Sequence, residues 1–414
     1  MTDASRLAQY RDRIEADLTG NILPFWIARA VEPAGDGFVG ALTNELAVVS
    51  GVERGALLTT RILWTYSAAY RRYQRPEYLT MAERAYADLN RYFRDFKHGG
   101  YFWSVAADGK VQRDRKQVYG QAFAIYALSE FQRATGRAEP LAEAIATMQL
   151  IESHARDAEF GGYFEAFGPR WEWIEDVRLS EVDLNAPKSQ NTMLHVMEAY
   201  TNLLQVWPDA GLRRALRALV EVMLVRILHP VTGHLGLFFA TDWTPLTDRI
   251  SYGHDIEAAW LLVAAAEVLS EDKLTARIRQ IAVRIAEVTL REGTDRDGAI
   301  FNEGNLRGIT NSDKEWWPQA EAVVGWLNAA EISRRTEFAE AALRTWDFIE
   351  AKLIDRQHGE WLRGVDRAGV PLAQQFKVSF WKCPYHNGRT GLEAVRRLDA
   401  MIVCGTVAEN YFNE

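Results

Sequence analysis

Cysteine is almost missing from this 414-residue chain: Cys383 and Cys404 are the only two. They give no disulfide framework and no zinc-ligand spacing. The sequence also holds no HExxH helix, no G-x-S-x-G elbow and no P-loop. That sets aside mononuclear zinc hydrolysis, α/β-hydrolase chemistry and P-loop phosphoryl transfer. Long basic runs are absent and the formal charge is −8, so nucleic acid is not an expected partner. Apolar runs such as AAWLLVAAAEVL are too short to span a bilayer, so no membrane partner is expected either. The opening MTDASRLAQYRDRIEADL is polar and amphipathic and lacks a signal-peptide core. A cytoplasmic protein is expected. No linker rich in Pro, Gly or Ser divides the chain, which predicts a single domain over residues 1–414.

What the chain has in plenty is aromatic and helical. It carries 14 Trp, 15 Tyr and 18 Phe in a 48% hydrophobic composition, enough to fill a large core and line a cleft. A glycine followed by aromatic or aliphatic residues recurs: GFVG at Gly37, GYFW at Gly100, GYFE at Gly162, GLFF at Gly236, GAIF at Gly298 and GEWL at Gly359. The intervals are 63, 62, 74, 62 and 61 residues, a near-constant period of the kind repeat architectures show.

Two helical patterns fill each interval. One is charged and amphipathic, as in AGLRRALRALVEVMLVRIL; the other is apolar all round, as in QVYGQAFAIYALSEF. The first kind belongs outside and the second inside. Residues 4–26 supply the sixth outer helix, and HNGRTGLEAVRRL is the least apolar of the six inner ones. These patterns predict an all-α fold, an (α/α)6 barrel with short β-hairpins between helices. An open α-solenoid is the structural rival.

Polar groups recur in phase at the starts of the inner helices. They are Arg61, Tyr119, Asn191 with His195, His254 with Glu257, Trp317 with Glu321, and His386. Taking one per helix, the steps are 58, 72, 63, 63 and 69 residues. In a closed barrel all six converge on one mouth, and partners at i,i+3 or i,i+4 share a helix face. Each residue alone has a plainer reading: a core histidine, a buried ion pair, a helix cap. The shared phase is what raises the set above them. His98, His154, His229, His234 and His358 fall in turns or outer-helix ends and read as structural or solvated. The His254/Glu257 spacing invites a metal, but Glu257 equally suits a residue fixing the ring tautomer of a histidine. Histidines and an arginine in an aromatic-walled pocket suit proton transfer beside a carbonyl, with arginine holding an enolate-like anion.

NAPKSQNTMLHVMEAYTNL, HLGLFF, SYGHDIEAAWLL, NEG, WWPQAEA and FWKCPYHNGR together resemble the cellobiose 2-epimerases of the N-acylglucosamine 2-epimerase superfamily. The resemblance runs from NILPFW at residue 21 to the HNGR helix. It implies an (α/α)6 barrel, no cofactor and no metal. It further implies epimerisation at C2 of a reducing-end glucose or mannose unit in β-1,4-linked disaccharides, cellobiose and lactose among them. By motif it assigns catalysis to His254, His386, Arg61 and His195. Sugar contact falls to Tyr119, Asn191, Glu257, Trp260, Trp317, Glu321 and Trp381. Within that reading Glu257 orients His254, Arg61 and His195 hold a cis-enediolate, and residue 192 and the 366–378 loop tune an outer subsite.

The alternative in the same superfamily is a monosaccharide 2-epimerase or aldose–ketose isomerase acting on mannose, glucose or N-acylglucosamine. An (α/α)6 glycoside hydrolase would need two carboxylates astride a glycosidic oxygen, and a sugar-binding module would need no in-phase histidines. The expected partner is a small sugar and the expected state a monomer.

Overall fold

The computed structural model describes residues 4–32, 35 and 37–411, with side chains as far as residue 403. Cys404 lies outside the described side chains, while Cys383 is a buried free thiol. Six inner helices are present: α3 (Ala56–Tyr73), α5 (Val118–Thr135), α7 (Gln190–Leu204), α9 (Tyr252–Leu269), α11 (Trp316–Ser333) and α13 (Tyr385–Tyr411). The outer ones are α4 (Pro76–Asp88), α6 (Ala138–Leu150), α8 (Ala210–Val222), α10 (Asp272–Gly293) and α12 (Thr336–Phe348). The sixth outer helix is α1 (Ala4–Asp17), which runs through a π-turn into α2 (Leu23–Arg29). Burial follows composition. In α5 every residue from Val118 to Phe131 is buried, whereas α8 buries only Leu212, Leu216, Leu219 and Val220. The latter are the one-sided stripe of a surface helix.

Closure is visible in the packing. Each inner helix packs on the next, from α3 through α5, α7, α9 and α11 to α13, and α13 packs back on α3. Each outer helix lies on the inner one before it, and α1 lies on α13. Arg6 pairs with Glu340 and Arg11 with Asp399, so the first helix is tied to the last two. An open solenoid has no such contacts.

The strands are short and mostly link neighbouring repeats. Lys116–Gln117 pairs with Ala166–Phe167, Lys188–Ser189 with Phe238–Phe239, and Lys314–Glu315 with Gly364–Val365, all antiparallel. True hairpins occur where Val111–Arg113 folds onto Ser104–Val105 and Gly308–Asn311 onto Glu303–Asn305. These ladders stitch the rim at the N-terminal ends of the inner helices.

The repeating turn has its own chemistry. Asp95 Oδ1 accepts the backbone N–H of Lys97 and His98, and its Oδ2 takes the buried Lys116 ammonium at 2.6 Å. Asp157 does the same for Glu159, Phe160 and Lys188. In the fourth repeat His229 stands in the aspartate's place and caps the turn through Nδ1, which accepts from Val231 and Thr232. It has no anionic oxygen to spare, and Ile250 replaces the lysine there. The repeat thus loses both members of the pair together. Gly100 sits at φ +72°, where a Cβ would also meet Gln121 Oε1 at 2.6 Å. Glycine alone tolerates both conditions.

Candidate active site

Because the inner helices start at one end of the barrel, residues at matching depth meet. Tyr119, Asn191, His254, Trp317 and His386 stand in first turns; Arg61, His195, Glu257, Glu321 and Arg389 stand about one turn deeper. Trp381 approaches from the segment before α13, with its ring centroid 6.0 Å from Trp103 and 6.3 Å from Tyr119. Trp317 lies between two histidines, 4.8 Å from the His254 ring and 5.6 Å from the His386 ring. Gly253 makes that placement possible, since a Cβ there would meet the Trp317 ring at 2.6 Å. Asn191 is half-buried at the rim, and its Oδ1 has no hydrogen-bond partner.

Arg61 is 3% exposed, yet it pairs with no carboxylate among the described residues. Its Nη2 donates to Tyr119 Oη at 2.8 Å and its Nη1 to the Trp381 carbonyl at 3.4 Å. The guanidinium lies 4.4 Å from the Phe123 ring centroid and 4.9 Å from that of Tyr385. Aromatic faces attract a cation without neutralising it. Nε remains without a partner. The result is a buried positive charge held ready for an anion.

Three imidazoles stand at this end of the barrel, each held at Nδ1. His386 Nδ1 lies 2.7 Å from Glu321 Oε1, His195 Nδ1 lies 2.9 Å from Glu198 Oε2, and His254 Nδ1 lies 2.8 Å from Ser251 Oγ. Burial pushes His386 down to about 3, against the pull of Glu321. Burial, joined by repulsion from His195, pushes His254 down to about 3 as well. His195 is lowered by burial too, despite Glu198. All three rings are therefore neutral near pH 7. A carboxylate can only accept, so Glu321 and Glu198 fix the proton on Nδ1 and leave Nε2 as a lone pair. The Ser251 hydroxyl can donate or accept, so His254 is free to present either an Nε2 base or an Nε2–H acid. Ser251 also caps α9.

Beneath the histidines lies a centre that spacing along the sequence did not reveal. Arg389, fully buried, binds Glu198 and Tyr385 Oη through Nη1, and reaches Glu257 and Glu321 through Nη2 at 2.6 Å each. One guanidinium therefore gathers carboxylates from α7, α9 and α11. Burial opposes ionisation of Glu321, but Arg389 and His386 outweigh it and hold the group down to about 2. Glu257 goes the other way, raised well above the usual carboxylate range by burial and by Glu321.

Several expectations change at this depth. Glu257 does not orient His254; it turns across the barrel to Arg389, and Ser251 takes the orienting role. The i,i+3 histidine–glutamate contact exists one helix earlier, as His195–Glu198. Trp260 and Glu321 contact each other, with Trp260 Nε1 donating to Glu321 Oε2 at 3.0 Å, in the layer under the mouth. Thr192 is buried against Glu165, so it does not face an outer subsite. Glu257, Glu321 and His386 bring ligand atoms close enough to hold a metal ion. Arg389 already fills the cationic role there, since both carboxylates accept from its Nη2. Of the outer histidines, His154 stacks on Trp171 and His358 pairs with Asp355. His234 is buried between Asp255 and Glu292.

An uncompensated buried cation among neutral imidazoles is the outline of a site for a developing oxyanion. The N-acylglucosamine 2-epimerase (GlcNAc 2-epimerase) family matches residues 37–386. The chain belongs to this family. The epimerase is 43% identical over 384 residues to cellobiose 2-epimerase of Bacteroides fragilis, covering 92% of this chain and 98% of the relative. It is 36% identical over 389 residues to cellobiose 2-epimerase of Dictyoglomus turgidum, covering 94% and 98%. The structure of cellobiose 2-epimerase from Bacillus thermoamylovorans B4167 matches it with a TM-score of 0.90 at 36% identity, over 94% of this chain and 100% of that one. The epimerase is thus a carbohydrate isomerase, as its sequence motifs led one to expect. Among its described residues, no helix is long and apolar enough to cross a membrane.

Proposed function

We propose that residues 1–414 form one cofactor-free epimerase domain that inverts C2 of the reducing-end glucose or mannose unit of β-1,4-linked disaccharides. Cellobiose would give glucosyl-mannose and lactose would give epilactose. The observation that carries this reading is the pairing of Arg61, buried with no carboxylate partner among the described residues, with imidazoles whose Nε2 positions are left open by their Nδ1 contacts.

The steps follow from those groups. The pyranose opens with acid–base help from a histidine, His254 being the ring that can supply or take a proton at Nε2. The aldehyde so formed acidifies C2–H, and a neutral imidazole removes it. The charge of the cis-enediolate spreads over O1 and O2, where Arg61 and His195 meet it. First turns of α7 and α9 add the partial positive charge of their N-termini. The proton returns on the opposite face after rotation about C2–C3, or from the second histidine of the His254/His386 pair. Trp317 and Trp381 cover the sugar faces, and Tyr119 and Asn191 bind hydroxyls. Glu321 acts through His386, and Glu257 and Trp260 act through the Arg389 layer.

The test is product analysis. Chelator-treated protein is incubated separately with cellobiose, lactose, mannose and N-acetylglucosamine. The reading requires glucosyl-mannose and epilactose without added metal or nucleotide. Release of free glucose as the main product, or turnover of monosaccharides alone, would overturn it.

A further inference from the structure

Each inner helix is preceded by a turn closed in the same way. The N–H that opens the turn donates to a carbonyl four or five residues on, that of Gly37, Gly100, Gly162, His234, Ala299 or Glu360. Four of these six acceptors are glycine or alanine. The other two, His234 and Glu360, come before α9 and α13, the helices whose first turns carry His254 and His386. The position faces packed interior: a Cβ at Gly162 would meet the Trp243 ring at 2.6 Å, and Ala299 is fully buried. Two repeats fill with an ionisable side chain a place the others keep small. Neither side chain has a part in the steps proposed above.

Both reach the residue that follows a histidine. His234 Nδ1 lies 2.6 Å from Asp255 Oδ2, and Oδ1 of the same carboxylate accepts the Leu235 N–H at 2.9 Å. Glu292 lies 3.0 Å from the other ring nitrogen. Burial opposes a charge on His234, but Asp255 and Glu292 outweigh it and raise the group above the ordinary histidine value. Glu360 Oε1 accepts from Asn387 Nδ2 at 2.7 Å and from Trp26 Nε1 at 3.1 Å, and its Oε2 pairs with the buried Lys382 ammonium beside Trp381. His234, Asp255, Glu360 and Asn387 are all buried. Glu360 keeps its side chain in a left-handed conformation, φ +61°, where Gly100 and Gly162 show that glycine would serve the backbone. In the second repeat the tie to the helix needs no turn side chain, since Gln121 holds both backbone groups of Tyr101.

We propose that His234 and Glu360 are positioning residues for the two imidazoles, acting through Asp255 and Asn387. Each locks the first turn of its helix to the rim, so that the ring of His254 or His386 cannot drift with a loose helix end. The inference rests on the reading that these two histidines exchange the C2 proton. A base displaced by about 1 Å loses ~10²-fold in rate, which is why the anchors belong on these two repeats. The helices without such a base, α3, α5, α7 and α11, keep glycine or alanine at the matching place.

The chain has only eight histidines, so isotopic nitrogen labelling of histidine lets NMR follow each ring in the full-length protein. His234→Leu should move the His254 ring signals and leave those of His386 in place. Glu360→Met combined with Lys382→Met, which strands no charge, should do the reverse. His234→Asn keeps a donor for Asp255, and Glu360→Gln with Lys382→Met keeps the acceptor for Asn387; both should restore the wild-type signals. Turnover is then measured on whichever sugar of the panel above is epimerised. The two disruptive variants should lose at least ~10-fold in kcat while still folded, and the two conservative ones should keep wild-type kcat. Lys188→Met strands Asp157 in the third repeat in a comparable way and should lower the melting temperature with kcat unchanged. Unmoved His254 and His386 signals would overturn the inference, as would a kcat loss in Lys188→Met equal to that in His234→Leu. Full activity of His254→Asn and His386→Asn would overturn the reading beneath it, and with it the catalytic part of the inference, while the spectra still decide the anchoring.

Discussion

His386 Nδ1 and Glu321 Oε1 lie 2.7 Å apart, and the same oxygen takes a second hydrogen bond from Arg389 at 2.6 Å. Arg389 and His386 favour the ionised form of Glu321, which fixes the histidine's tautomer, while burial and Glu321 favour the neutral form of its neighbour Glu257. The two glutamates should respond differently to the same substitution. Glu321→Gln removes the charge Arg389 needs and should lower stability by about 3 kcal/mol. It should also cost at least ~10²-fold in turnover, because the His386 tautomer is no longer fixed. Glu257→Gln replaces a group whose neutral form burial already favours and should change the melting temperature little. Equal effects of the two variants in thermal melts would contradict the assignment.

Arg61 offers a separation of stability from activity. A buried cation without a carboxylate partner does little for folding, so Arg61→Met should leave the melting temperature level or raise it. Turnover should fall at least ~10²-fold, with the loss in kcat rather than KM, because the charge is met mainly in the transition state. A variant that loses only apparent affinity would remove Arg61 from the enediolate.

The histidines set the pH dependence. With His254 and His386 both held down to about 3, the base form persists well below pH 6.5, the ordinary value. The logarithm of kcat/KM should therefore show no break between pH 6 and 7. Stability, by contrast, does depend on pH in this range. The unfolded chain takes up protons near pH 6.5 that the folded one refuses, so stability is fully present above that pH and is lost as pH falls from about 6.5 toward 3. Acid loss of activity should track unfolding in circular dichroism. An activity break near 6.5 in protein that is still folded would mean that the catalytic imidazole is not one of these.

Lys188 tests the rim. Its ammonium bonds to Asp157 at 2.6 Å and to the carbonyls of Gly161 and Thr241 at 2.9 and 2.8 Å. It thus joins the turn of one repeat to that of the next. Lys188→Met keeps the bulk and strands the carboxylate, and should cost about 3 kcal/mol. That is several degrees in a melt, with no change in the product formed. An unchanged melting temperature would place the rim's cohesion elsewhere.

How much of this could be read from residues alone depended on whether the relevant neighbour was near in the chain. The repeat was legible because glycines such as Gly100 are compelled by local backbone geometry and recur with the helices. The mouth was legible because Tyr119, Asn191, His254, Trp317 and His386 share a depth, with Arg61 about one turn below, and depth follows from spacing along each helix. Arg389 was not legible, although it ends the HNGR motif. Its importance comes from three carboxylates on three other helices, and no periodicity within α13 announces them. The misplaced role of Glu257 has the same origin. An i,i+3 spacing says that two side chains share a face, not which of them has a stronger partner across the barrel.

The helix that closes the ring, α13, is also the one that carries His386 and Arg389. Under the proposed mechanism, catalytic competence is for that reason a report on topology. A chain clipped before Tyr385 loses the imidazole, the guanidinium that holds the glutamates of three other helices, and the seam against α1 and α3, all at once. Such fragments would be silent instead of sloppy, and a cell sampling this activity would be counting finished rings.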